Sequence, residues 1–137
     1  MSTAIDHAVQ ARLVATTPQS REIPASLRYD RADPFAVRLV FPPAASLDGA
    51  EVTWMFGRDL LAEGLRLPSG TGDVRIWPCG PETVVVEFHS VDGMAMVQFG
   101  TRDLRDFPNR SYGVIAKGGE GAFMDVEASL AGVLRSA

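Results

Sequence analysis

One cysteine, Cys79, is all the chain has, which excludes an internal disulfide, a CxxC pair and a cysteine-rich metal site, and fits a reducing cytoplasm. Histidine is nearly as scarce. His7 and His89 stand alone, without the HxxxH or HExxH spacing that brings two ligands onto one helix face. Positive charge is not in excess either: thirteen Lys and Arg against seventeen Asp and Glu give a formal charge of -4, so the whole molecule offers phosphate backbones no long-range attraction. No apolar run approaches membrane-span length, and the start, MSTAIDHAVQARLVATT, lacks the basic, apolar and small-residue zones of a secretory signal. A cytoplasmic location without direct membrane insertion is expected.

Catalytic grammar is missing in the same way. No GxSxG elbow occurs, and Ser90 beside His89 on a strand points to the opposite face. Gly70-Thr71-Gly72 and Gly118-Gly119-Glu120-Gly121 match neither the P-loop spacing nor a GxGxxG between strand and helix, so both read as flexible loops. Cys79 lies between Pro78 and Gly80 with no base nearby to stabilise a thiolate. No catalytic, cofactor-binding or metal-binding residue is assigned, and no cofactor is expected.

What the sequence does have is patterning. Its 137 residues, 46% hydrophobic and 22% charged, suit one globular domain spanning residues 1–137. Apolar-rich runs at 7–16 and 23–30 predict two strands around the turn Thr17-Pro18-Gln19-Ser20. After the break at Asp33-Pro34, alternation at Phe35, Val37, Leu39 and Phe41 predicts a third, and Val52, Trp54 and Phe56 a fourth. From Arg58 the period becomes helical for about two turns, ending near Gly64. Strands follow at 73–78, 83–89 and 94–99, the last two joined through Asp92-Gly93, a hairpin pair. A second helix has Thr101 available as N-cap, and Pro108 either ends or bends it or sits in the first turn of a continuation. Past the link 117–121, a last helix carries Val126, Leu130, Val133 and Leu134 on one stripe. The fold class is therefore α+β, with a mostly antiparallel sheet of about seven strands and two or three helices in the order ββββα-βββα(α).

Two stretches nearly repeat: Phe56-Gly57-Arg58-Asp59-Leu60 and Phe99-Gly100-Thr101-Arg102-Asp103-Leu104. Both fall where a strand gives way to a helix. They read as two corners of one kind, with Gly permitting the turn and Asp in the first helical turn. In the first helix the apolar side should be buried and the charged side free, which makes Arg58, Asp59, Glu63 and Arg66 the candidate partner-binding residues. Asp59 and Glu63 also share a helix face as a carboxylate pair, a pattern more often solvated surface than an acid and base. Arg12, Arg28, Arg38 and Arg75 on the strands, with Trp54, Trp77 and Phe88, form the alternative: a sheet face binding single-stranded nucleic acid. In an acidic domain the expectation is that these arginines pair with Asp or Glu and the aromatics fill the core.

Two longer segments carry a family resemblance. LRYDRADPFAVRLVF (27–41) and VTWMFGRDLLAEGLRLPSGTGDVRIWP (52–78) resemble the SsgA-like proteins, regulators of sporulation and cell division in filamentous actinomycetes. Leu27 to Asp30, Asp33 to Val37, Trp54, Phe56, Arg58, Leu60, Leu61, Gly64, Leu65, Pro68, Gly70 and Gly72 to Arg75 match the family's pattern. The likeness runs from about residue 8 to 134; it weakens after residue 80, where Pro108 departs from the family's helix and leaves the paralogue open. The resemblance implies a non-enzymatic cytoplasmic regulator concentrated at division septa, which helps position or activate them. Its implied partners are the tubulin-like division protein FtsZ, a septum-associated adaptor or the septal cell-wall machinery. It also implies a homo-oligomer, specifically a trimer of Whirly-like fold. That fold analogy carries no nucleic-acid binding with it, and nucleic acid is not an expected partner.

Overall fold

The computed structural model describes residues 4–14, 21–43, 49–91 and 93–121. Four strands come first, β1 (Ala4–Val14), β2 (Arg21–Asp30), β3 (Asp33–Phe41) and β4 (Val52–Gly57), then helix α1 (Arg58–Gly64). Three more follow, β5 (Val74–Cys79), β6 (Thr83–Ser90) and β7 (Gly93–Gly100), then helix α2 (Thr101–Val114). The expected last helix around Val126–Leu134 lies outside the described residues. All seven strands form one antiparallel sheet in the order β4-β3-β2-β1-β7-β6-β5. The two meanders meet where β1 pairs with β7, Ala11 opposite Phe99.

This sheet curls. Trp54 on the edge strand β4 lies 4.8 Å, ring centroid to centroid, from Phe88 on β6, although four strands separate them in the sheet order; Phe41 of β3 meets the same ring edge-on at 6.0 Å. Helix α1 touches β3 and β4 on one side and β5 on the other, so it bridges the two ends of the sheet. The concave face holds the core, including Leu27, Leu39, Ile76, Val84, Val97 and Phe99, each nearly inaccessible. The alternating residues of the strands supply that face, as their period of two requires.

The resembling motifs resolve into local architecture. In LRYD-x-x-DP, the Asp30 carboxylate accepts the Ala32 backbone N–H at 2.8 Å, which shapes the β2–β3 turn. The buried Tyr29 hydroxyl donates to the Pro34 carbonyl across that turn at 2.9 Å. In the segment after α1, Ser69 and Ile76 exchange two backbone hydrogen bonds of 2.9 and 3.0 Å, which partners the edge of β5. Gly70 makes this possible: its φ is +103°, and a Cβ there would lie 2.6 Å from the Val74 carbonyl oxygen.

Three local expectations need correction. Thr101 is not the N-cap; Gly100 is, with no side-chain cap, and the Thr101 N–H bonds the Glu82 carbonyl at 2.9 Å. Pro108 does not end α2, which continues to Val114. Leu104, Phe107, Pro108 and Ser111 are its buried residues, spaced i, i+3, i+4, i+7, so packing one whole face offsets a proline cost of about 3 kcal/mol. Nor do the two corner glycines use glycine's freedom. Gly57 (φ -66°, ψ 139°) and Gly100 (φ -68°, ψ 129°) are both in the extended region open to any residue.

The near-identical dihedrals make the two corners structural equivalents, yet in a different frame from the one the letters suggest. Aligned without a gap, Phe56 matches Phe99, Gly57 matches Gly100 and Leu61 matches Leu104, both leucines being 1% exposed. The shared pattern is Phe-Gly-x-x-x-Leu, and the two Arg-Asp-Leu strings fall one residue out of step within it.

Candidate functional site

Arg58 opens α1 and points inward. Its side chain is 1% exposed, so it is not on the free charged side of the helix where the sequence pattern places it. The physical reason is a full set of partners. The guanidinium reaches a Glu120 carboxylate oxygen through Nη2 at 2.6 Å and Nε at 3.2 Å, and donates to the carbonyls of Ser111 at 2.9 Å and Ala116 at 3.2 Å. Its central carbon lies 4.6 Å from the ring centroid of Tyr112 and 5.2 Å from that of Tyr29, within cation–π range. Helix α2 has no basic residue in its own last turn, so Arg58 brings the cation that the carbonyl-rich C-terminal end favours.

Glu120 completes the knot. It is 4% exposed, and its second oxygen accepts the Gly118 N–H at 2.9 Å. The hydrogen bonds from Arg58 hold its carboxyl below the usual carboxylate range against the opposing effect of burial. Lys117-Gly118-Gly119-Glu120-Gly121 is therefore not the free link that its composition suggests, since Gly119 N–H also bonds the Ala116 carbonyl at 2.8 Å. Beside it, the Tyr112 hydroxyl donates to Asp59 at 2.8 Å, and burial together with that carboxylate pushes the phenol up to about 12. Asp59 is thus half-buried and engaged, which leaves Glu63 and Arg66 as the exposed members of the expected set.

Above this knot α1 and α2 are separated by a cleft of about 580 Å³. Glu63 and Arg66 come from the α1 side, Arg105, Pro108, Asn109 and Tyr112 from α2, Pro78 and Pro81 from the end of β5 and its turn, and Lys117 from the segment beyond α2. The structure so brings together two of the four residues that the sequence pattern singles out. Arg105, Tyr112 and Lys117 were not among them, because nothing in the local sequence places α2 against α1.

The convex sheet face looks different. Arg12 pairs with Glu22 at 3.1 Å, Arg28 with Asp6 at 3.4 Å and Arg38 with Asp33 at 3.8 Å, while Arg75 stands opposite Glu87 in register. Two of the aromatics behave as expected, Phe88 being buried with Trp54 packed on it, but Trp77 does not fill the core: it is half-buried on the face opposite Ile76, where its indole donates to Glu87. Among the described residues no group of three or more His, Cys, Asp or Glu comes together as a metal site, and no helix is long and apolar enough to cross a membrane.

A family profile described as "Streptomyces sporulation and cell division protein, SsgA" matches residues 23–120. The chain belongs to this family, and its role lies in sporulation cell division. It is 39% identical over 137 residues to the sporulation-specific cell division protein SsgB of Streptomyces coelicolor, covering 98% of each chain. It is also 39% identical to the SsgB of Salinispora tropica, covering 93% of this chain and 91% of the other. Among solved structures, the SsgA-like sporulation-specific cell division protein from Thermobifida fusca superposes with a TM-score of 0.83 at 32% identity, covering 96% of this chain and 97% of that one. A structure titled for mutations in SsgB that correlate with longitudinal cell division during sporulation of Streptomyces coelicolor gives 0.78 at 37% identity, with 88% and 95% covered. The seven-stranded α+β architecture is thus that of solved family members.

Proposed function

We propose that the protein is a non-enzymatic adaptor of sporulation-specific division, which helps position or activate septa by recruiting FtsZ or the septal cell-wall machinery. The observation that carries this reading is the family match across residues 23–120. It works in the cytoplasm, concentrated at septa, as a Whirly-like homotrimer. In support of self-association, β4 is an edge strand, and Phe35 and Met55 on β3 and β4 are 49% and 54% exposed. Partner binding is assigned to the α1 side of the cleft, through Glu63 and Arg66 with Asp59 at its margin. The carboxylate partners of three convex-face arginines favour this reading over nucleic-acid binding.

Deletion in a sporulating host, with complementation by the wild-type chain, tests it. Misplaced or missing sporulation septa, restored on complementation, are the expected result, together with co-localisation of the tagged protein and FtsZ. Normal septation in the deletion strain overturns the reading. Light scattering on the purified protein tests the trimer, and a monomer at micromolar concentration removes it.

A further inference from the structure

Arg66, Arg105 and Lys117 are all exposed at one cleft, and among the described residues none of them has an ion-pair partner. That contrasts with the convex face of the same acidic molecule, where three of four arginines sit beside carboxylates. Among the described residues Glu63 is the only carboxylate lining the cleft, so its rim as described is net positive although the chain carries -4 overall. Leu65, Pro108 and Tyr112 supply an apolar and aromatic wall between the cations. A concave, partly apolar site with a few convergent charges is the ordinary form of a ligand or peptide site.

We infer that this cleft docks an acidic peptide segment of a partner protein, its carboxylates on Arg66, Arg105 and Lys117 and an apolar side chain against Leu65, Pro108 and Tyr112. This rests on the adaptor reading for its biological setting, but its chemistry is independent of that setting. Charge complementarity selects the occupant: an acidic chain is drawn to this positive recess and repelled by the acidic remainder of the molecule, whereas a basic segment is repelled from the recess itself. A guanidinium pair also suits carboxylates, which they can bind through two parallel N–H donors. Tyr112 is already fixed by Asp59 beneath it, so the aromatic wall is in place before anything binds.

The test is fluorescence anisotropy of the full chain with a fluorescein-labelled peptide of alternating Glu and Leu, about twelve residues long. Matched Gln–Leu and Lys–Leu peptides and inorganic phosphate at equal ionic strength serve as comparisons. The acidic peptide should bind, weaken as salt rises, and lose about tenfold or more in affinity to the triple variant Arg66→Glu, Arg105→Glu, Lys117→Glu. That variant should in turn gain affinity for the Lys–Leu peptide. The Gln versions of the three substitutions, with unfolding monitored by circular dichroism, guard against a misfolded variant and should weaken binding less than reversal does. Equal binding of the Gln–Leu peptide, competition by phosphate as effective as by unlabelled peptide, or indifference to charge reversal overturns the inference. So does a change in oligomeric state on charge reversal with peptide binding retained, which marks the cleft as a contact between copies. Failure of the adaptor reading looks different: septation is normal in the deletion strain whatever the peptide does.

Discussion

Arg58 and Glu120 meet in the interior at 2.6 Å, with 1% and 5% of their side chains exposed, although 62 residues separate them in the chain. Together they tie the first residue of α1 to the stretch beyond α2. Their charges carry a desolvation cost that only good geometry offsets, and the guanidinium has that geometry: four donated hydrogen bonds and two aromatic faces.

Removing one member leaves the other charged and buried. Arg58→Met should therefore destabilise the fold by about 3–5 kcal/mol in urea unfolding. Arg58→Lys should recover only part of that, because one ammonium cannot span Glu120, Ser111 and Ala116 together. The double variant Arg58→Met, Glu120→Leu should lose less than Arg58→Met alone, since no stranded charge remains.

Acid should weaken the same link. Glu120's carboxyl is held below its ordinary value of 4.5, foremost by the hydrogen bonds from Arg58. The folded protein thus takes up this proton less readily than the unfolded chain. The contribution is complete above the ordinary value and drains as pH falls through the depressed one. Urea unfolding from neutral pH down to about pH 3 should show a flatter acid limb in Glu120→Gln than in the wild type.

Tyr112 acts at the other end of the scale. Its phenol, pushed up to about 12 by burial and by Asp59, stays neutral in the folded state after an unfolded tyrosine has begun to ionise near 10. Its contribution is complete below 10 and is lost as pH rises through the folded value. Burial raises the other phenol, Tyr29, as well, so absorbance titration should show both of the chain's tyrosines ionising late, and Tyr112→Phe should remove one of the two late phenolates and leave the other. That variant also loses about 1 kcal/mol at neutral pH with the hydrogen bond.

Two glycines of α1's neighbourhood should respond oppositely to alanine. Gly57 has an ordinary φ, and a Cβ there meets nothing closer than 4.0 Å, so Gly57→Ala should stabilise by about 0.4–1 kcal/mol. A Cβ on Gly64 would lie 2.4 Å from both Cβ and Cγ2 of Ile76. Gly64→Ala should cost about 1–3 kcal/mol as the helix is forced from the strand, read as a fall in the thermal midpoint.

The ungapped frame of the two corners makes its own prediction. Leu61→Ala and Leu104→Ala should each cost about 2–5 kcal/mol, because both leucines are 1% exposed, whereas the half-buried Leu60 should cost less despite standing in the Arg-Asp-Leu string.

Local periodicity made most elements legible: alternation at Val37, Leu39 and Phe41 marks β3, and the switch of period at Arg58 marks α1 to within a residue. The site was legible only in part. Glu63 and Arg66 read correctly as exposed, because an amphipathic helix shows its polar side in its own sequence. Arg58 did not, since its burial depends on Glu120 and on the end of α2, partners fixed only once the sheet has curled. The same holds for Pro108, whose helix-breaking chemistry is local and whose packing is not. A three-letter repeat was the weakest guide of all, for a one-residue offset on a helix turns a side chain by about 100°.

Gly64 has an effect beyond the strand it rests on. Its neighbours Glu63 and Leu65 line the cleft, so the face of α1 pressed to Ile76 sets the height at which those side chains are offered. The recess is gauged from underneath, by the thickness of an absent methyl group. A relative with a larger residue at this position would keep every rim charge and yet present it at a different height, without any change on the surface itself.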